Sequence, residues 1–270
     1  MLHVAKLSPK AQPWVMLTAY DANMTRAIET SGADFILVGD SLGRAVLGYQ
    51  DENEVSLNDM IHHAKAVLRV RKAIPVIVDL PYNTYNTPDQ ALVSAGQVMA
   101  TGANFVKLEN PSLEVMSILR LNNIPVVAHL GYTPQTAPKS GSKVVGKDAG
   151  VAEKLLRDSL LVEQAGACML VIEMVPREVS ATMTRLCRIP VIGIGCGPDT
   201  DGQVLVTTDM WGENDAPFKF LRRFGQVFEG KTKACAEYAQ AVRERNFPAD
   251  ENAFHMNKSE LELWRARHEE

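Results

Sequence analysis

The chain repeats one unit: a short, almost unbroken apolar run rich in Val, Ile and Leu, then a longer stretch with helical spacing. Eight such runs occur, over 14–18, 35–38, 75–80, 104–108, 124–128, 169–172, 190–194 and 203–206. Runs that are continuous rather than alternating belong to strands buried on both faces, as in a parallel sheet clad by helices. Helical spacing fills 23–30, 57–72, 88–100, 113–121, 149–165 and 177–186, with Gly32, Gly102, Asn122-Asn123 and Gly166 marking helix ends. Such alternation requires right-handed crossovers, and eight strands predict a (β/α)8 TIM barrel rather than an open doubly wound sheet. Residues 217–245 read as one or two basic-and-apolar helices, and Ser259 to Glu262 as a capping box before a last short helix. The expected organisation is an N-terminal extension (1–12), a catalytic barrel with C-terminal helices (13–250) and a charged tail (251–270). A chain of 270 residues suffices for one such barrel, and no Gly/Ser/Pro-rich linker divides it.

Charge narrows the partners. Lys plus Arg number 28 against 32 Asp plus Glu, a net −4 with no basic block, which argues against nucleic acid or an anionic membrane and for small-molecule substrates. Cys168, Cys187, Cys196 and Cys235 have no CxxC spacing, so neither a disulfide framework nor a zinc knuckle is indicated and a reducing cytoplasm fits. The first twenty residues lack a charged-then-apolar leader, and no apolar run is long enough for a membrane span.

A barrel builds its chemistry at the C-terminal strand ends. Five successive runs end in polar residues: Asp40 and Ser41, then Asp79, then Lys107 with Glu109, then His129, then Glu173. Four carboxylates in one mouth repel unless a cation neutralises them. Asp40, Asp79 and Glu109 offer oxygen ligands only, a set that suits Mg2+ rather than zinc. Mg2+ held by few carboxylates keeps open positions that a 2-oxo acid fills, and as a Lewis acid it stabilises the enolate formed beside the ketone. Lys107 would neutralise the acid's carboxylate, with Ser41 donating to it. Glu173, flanked by apolar Ile172 and Met174-Val175-Pro176, suits general acid/base work. Each position also has a plainer reading: Asp40 and Ser41 as helix caps, Asp79 as a turn residue, Lys107–Glu109 as a simple ion pair, and His129 as a hydrogen-bonded core histidine. Gly193 to Pro198 is not GxGxxG and lacks a phosphate-loop lysine, so close backbone packing is an equal alternative to phosphate binding. Cys196 reads as small packing.

The segments Met16 to Asp21, Leu37 to Gly43, Val46 to Tyr49, Val78 to Pro81, Val106 to Glu109, His129 to Gln135, Glu173 to Pro176, Gly193 to Pro198 and Asp201 to Val206 closely resemble, in order, the ketopantoate hydroxymethyltransferase family. The resemblance spans about residues 13–250. It implies a cytoplasmic barrel of the pyruvate/phosphoenolpyruvate-binding type that transfers a hydroxymethyl group from 5,10-methylenetetrahydrofolate to 3-methyl-2-oxobutanoate, giving 2-dehydropantoate early in pantothenate and coenzyme A synthesis. It further implies Mg2+ on Asp40, Asp79 and Glu109, the oxo acid on Asp40, Ser41, Asp79 and Lys107, Glu173 as proton acceptor, and a homo-oligomer, commonly a decamer. Departures are Asn110-Pro111-Ser112 in place of a glycine pair, Tyr132, Cys196, and a loosely matching loop from Ser140 to Lys147. The alternative is a related barrel carbon–carbon lyase or mutase acting on another 2-oxo acid, although the cysteine loop of those enzymes is not found.

Overall fold

The computed structural model describes residues 12–137 and 144–268. The N-terminal extension up to residue 11 and residues 140–143 of the 140–147 loop lie outside the described residues.

The eight runs form eight parallel strands that close into a barrel in chain order. They are β1 (Trp14–Thr18), β2 (Phe35–Val38), β3 (Val76–Asp79), β4 (Phe105–Glu109), β5 (Val126–Gly131), β6 (Met169–Glu173), β7 (Val191–Ile194) and β8 (Gly202–Leu205). Closure comes from β8 pairing with β1, Trp14 opposite Gly202 and Leu17 opposite Leu205.

Helices α1 (Ala22–Ser31), α2 (Leu57–Val70), α3 (Pro88–Met99), α4 (Leu113–Leu121), α5 (Ala149–Ala165) and α6 (Arg177–Leu186) follow the first six strands, apart from two short turns before α2. Asp21, Ser56, Thr87, Ser112 and Asp148 start five of them, each side chain accepting from the amide three residues on. α2 buries Met60, Ala64 and Val67, one face at helical spacing.

The period of two along each strand separates two cores. Outward residues such as Ile36, Val76, Val106, Ala128, Leu170 and Val191 join the layer packed with helical side chains. Inward residues Phe35 and Leu37, Ile77, Phe105, Val127, Met169 and Val171, Ile192 and Val204 fill the barrel itself. Each large side chain so buried contributes about 1.5–3 kcal/mol. The interior is therefore packed, and its filling fixes the positions of whatever lies one step further along the same faces.

Several sequence expectations need correction. β5 begins at Val126, beyond Pro125, and runs on to Gly131. A five-residue π-helical turn (Gly43–Leu47) and a 3₁₀ turn (Glu52–Glu54) intervene between β2 and α2. No helix forms over 217–226; Pro217, Phe218, Phe220 and Leu221 line the cavity at the barrel mouth instead. Ser259 does not cap a helix, because the last helix already begins at Lys258.

By internal packing the chain divides after Phe224. The second unit, Gly225–Glu270, holds α8 (Val227–Arg243), a 3₁₀ turn and α9 (Lys258–His268), after the short α7 (Thr207–Met210) of the first unit. α8 and α9 have no buried residues, and Phe228, Tyr238, Val242 and Trp264 are exposed. Among the described residues no helix is long and apolar enough to cross a membrane.

One surface carboxylate ties α1 to the turn before β3. Glu29 Oε1 accepts from the amides of Lys72 at 2.6 Å, Ala73 at 3.2 Å and Ile74 at 3.5 Å. Slight burial opposes ionisation, but these donors outweigh it and lower the Glu29 pKa. A lowered carboxyl pKa stabilises the fold above the unfolded pKa, and the benefit is lost as pH falls through the folded value. Glu29→Ala should therefore cost about 1 kcal/mol at neutral pH, a charged hydrogen-bond value discounted for exposure. Urea unfolding should show that gap narrowing in acid.

Candidate active site

The inward faces of β3 to β6 change character at their C-terminal ends. Two residues beyond Ile77 comes Asp79, and beyond Phe105 come Lys107 and then Glu109. Beyond Val127 comes His129, and beyond Val171 comes Glu173. The strand periodicity that fills the barrel thus delivers a polar layer on top of the apolar one. With Asp40 and Ser41, just past β2, these residues line a single cavity of about 390 Å³. The structure brings together every residue singled out from the strand ends.

Register explains the pairings. Asp79 lies opposite Lys107, and Glu109 opposite His129. Lys107 Nζ stands 2.9 Å from Asp79 Oδ1, both side chains almost fully buried. The ion pair thus crosses strands, and the Lys107–Glu109 pairing along one strand is not formed. Burial opposes the lysine's charge, but Asp79, Asp40 and Glu109 outweigh it and hold its pKa above the usual value. Burial also raises Asp79, even against Lys107. Asp40 is pushed well above the ordinary carboxylate range by burial, then by Asp79 and Glu109.

Neither Asp40 nor Ser41 caps a helix. Asp40 is buried and its amide donates to Asp79 Oδ2 at 3.1 Å, while Ser41 Oγ shares a 2.8 Å hydrogen bond with the Tyr20 hydroxyl.

His129 is more than a core histidine. Its Nδ1 lies 3.4 Å from Glu109 Oε1 and its Nε2 3.5 Å from Glu173 Oε2. Burial and Lys107 disfavour the imidazolium, but the two flanking carboxylates prevail and carry its pKa to about 9. Sequence reasoning undervalued it because both partners come from neighbouring strands. Glu173 differs from the expected apolar setting: its sequence neighbours are apolar, yet its carboxylate faces His129 and 18% of the side chain is exposed. At the adjoining strand end, Gly131 has φ +94°, and a Cβ there would sit 2.4 Å from the Glu173 carbonyl oxygen. Only glycine lets β5 approach the backbone that carries this acid.

Gln135 and Tyr85 were not anticipated. Gln135 is 3% exposed; its Nε2 donates to Asp40 Oδ2 at 2.7 Å and its backbone amide to Glu109 Oε2 at 3.0 Å. Tyr85 donates from its hydroxyl to Gln135 Oε1. The glycine run after β7 serves packing: a Cβ on Gly195 would lie 2.8 Å from the Phe220 ring. Phe218 stacks on Phe220 at 5.2 Å, and both line the cavity. The Cys196 thiol donates to the Ile172 carbonyl at 3.2 Å, and burial pushes its pKa to about 11, consistent with packing rather than nucleophilic work.

Charge decides what the mouth accepts. Asp40, Asp79, Glu109 and Glu173 face Lys107 and His129, and Glu52, Asp209 and Asp215 line the same cavity against one further cation, Arg44, so acids outnumber cations there. The donors are all oxygen, the preference of a hard divalent cation. Among the described residues no three His, Cys, Asp or Glu side chains are spaced to enclose an ion unaided. That still suits Mg2+, which takes one or two carboxylates and completes its shell with water and substrate.

Solved structures with this fold include a phosphonopyruvate hydrolase in complex with oxalate and Mg++ (TM-score 0.61, 12% identity, 96% of this chain and 95% of that one). A 2,3-dimethylmalate lyase of the PEP mutase/isocitrate lyase superfamily also matches (TM-score 0.58, 15% identity, 95% and 94%). At such identities the likeness concerns the fold alone. Among curated proteins, the 3-methyl-2-oxobutanoate hydroxymethyltransferase of Geobacillus thermodenitrificans (strain NG80-2) is 44% identical over 256 residues, 92% of this chain and 91% of its own. That of Bacillus subtilis (strain 168) is 42% identical over 267 residues, covering 97% and 96%. The family model for ketopantoate hydroxymethyltransferase matches residues 1–250, a span that takes in the whole barrel and every polar strand end described above. By both measures the chain belongs to the ketopantoate hydroxymethyltransferase family.

Proposed function

We propose that the protein transfers a hydroxymethyl group from 5,10-methylenetetrahydrofolate to C3 of 3-methyl-2-oxobutanoate, giving 2-dehydropantoate. The observation that carries this reading is the buried acid–lysine layer on the inner face of β3 and β4, in a chain of this family. Asp40, Asp79 and Glu109 would hold Mg2+, directly or through water. Bound there, the ion supplies positive charge that polarises the oxo group and acidifies C3.

The protein's own groups do the rest. Lys107 draws in the oxo acid's carboxylate, and Asp79 at 2.9 Å keeps the ammonium charged and aimed. Ser41 donates to the same carboxylate, its hydroxyl oriented by Tyr20. Glu173 removes the C3 proton, with His129 Nε2 3.5 Å away as the charge its carboxylate faces. One water cleaves the donor's two C–N bonds: its oxygen stays on the methylene carbon, now at the formaldehyde level, and its two hydrogens go to the nitrogens of the departing tetrahydrofolate. The C3 carbon nucleophile adds to that carbon, and the alkoxide so formed takes back the proton held by Glu173 to give the hydroxymethyl group. The same reading entails a cytoplasmic homo-oligomer working early in pantothenate synthesis.

The test uses purified protein with Mg2+ in deuterated water. Exchange of the C3 hydrogen of 3-methyl-2-oxobutanoate, and ketopantoate formation once methylenetetrahydrofolate is added, are the expected results. Absence of both overturns the reading.

A further inference from the structure

The carboxylates of the site do not hold their orientation unaided. Gln135 does not line the cavity, yet it touches two of the acids that do. Its side-chain amide uses both hydrogens, one on Asp40 Oδ2 at 2.7 Å and the other on the Leu80 carbonyl at 3.1 Å. The amide oxygen accepts from the Tyr85 hydroxyl. Its backbone amide donates to Glu109 Oε2 at 3.0 Å, and its carbonyl accepts from Asn53 Nδ2 at 3.1 Å.

Every polar atom of this residue is therefore engaged, and the amide has one permissible orientation. Turned over, its oxygen would meet the Asp40 carboxylate and the Leu80 carbonyl, both acceptors, at a buried position. Tyr85 reinforces the choice, since its hydroxyl also accepts from the Glu109 amide at 3.3 Å. On Asp40 this engages Oδ2 and leaves Oδ1. On Glu109 it engages the oxygen opposite the one beside His129.

We propose that Gln135 is a positioning residue that fixes Asp40 and Glu109 in the orientation in which the site takes up a divalent cation together with the oxo acid. The inference rests on the reading of those carboxylates given above and adds a residue that touches neither ligand. Groups that orient a metal's carboxylates govern affinity without contacting the metal.

The test compares the unmodified protein with Gln135→Leu, which removes the side-chain bonds but keeps the backbone bond to Glu109, and with Tyr85→Phe, which removes one hydroxyl. Titration calorimetry reads Mg2+ binding in the presence of 3-methyl-2-oxobutanoate, and steady-state kinetics reads KM for each substrate. Gln135→Leu should weaken Mg2+ uptake and raise the oxo-acid KM by about 10- to 100-fold, with the methylenetetrahydrofolate KM within about twofold. Tyr85→Phe should move the same two quantities in the same direction by less. A purely structural role would lower the melting temperature and the active fraction while leaving both constants in place. A folded Gln135→Leu protein with unchanged Mg2+ affinity and oxo-acid KM overturns the proposal. Where that variant does not fold, unchanged values in Tyr85→Phe overturn it instead. If the unmodified protein takes up no oxo acid with Mg2+, the reading of the site itself fails, and this inference falls with it.

Discussion

Lys107→Met should lose both oxo-acid binding and a large part of the stability of the barrel. The lysine is 6% exposed and sits 2.9 Å from Asp79, with Asp40 and Glu109 close enough to raise its pKa. Its removal leaves three buried carboxylates without their ammonium counter-charge. Breaking one partner of a buried pair typically costs about 3–5 kcal/mol, because the remaining charge is uncompensated. In a barrel of this size that corresponds to a fall in melting temperature on the order of 10 °C. The substrate's carboxylate loses its charged partner as well, worth about 2–4 kcal/mol, or roughly 30- to 700-fold in Kd. Calorimetry on the folded variant separates the two effects. An unchanged oxo-acid Kd beside a lowered melting temperature would remove Lys107 from the substrate site and leave it a structural counter-charge.

Glu173→Gln should act on rate and spare binding. The substitution keeps the side chain's shape and its place beside His129 but cannot accept a proton from C3. Losing a general base costs about 10²- to 10⁴-fold in kcat. C3 exchange in deuterated water should fall in parallel with turnover, with oxo-acid affinity in the presence of Mg2+ within about threefold, since the interaction removed belongs to the transition state. Retained exchange would place the base elsewhere. Lost affinity would instead make Glu173 a binding group.

The barrel was legible in the sequence because a strand covered on both faces needs no alternation, and eight such runs leave few topologies. Legibility failed at particular ends. β4 and β6 each continue one residue past their apolar runs, through Glu109 and Glu173, β3 ends on Asp79 within its run, and β5 continues through His129 to Gly131. Hydrophobicity stops marking a strand where its inner face becomes the site. The acids were found because strand ends are where chemistry belongs. His129 was undervalued because its character depends on Glu109 across one register and Glu173 across another. Gln135 and Tyr85 lie on loops, and the bond from Gln135 to Asp40 spans 95 residues of chain. No local pattern encodes that pairing. The stretch after Pro217 misled for a related reason: Phe218 and Phe220 serve the cavity wall and Gly195 rather than a helix face.

The Gln135 network also bears on how such an enzyme can diversify. Barrels of this kind acquire new substrates by altering the loops after their strands one at a time. Here the segments following β2, β3 and β5 and the last residue of β4 meet at one glutamine through Asp40, Asn53, Leu80, Tyr85 and Glu109. Those three connections and that strand end form a single heritable block, in which a change to one must be matched by the others. The wall contributed by Ile194, Val204, Leu205 and Val206 lies outside that block and lines the same cavity. Grafts that reshape this apolar half of the rim should therefore be tolerated where single-loop grafts into the acidic half will not.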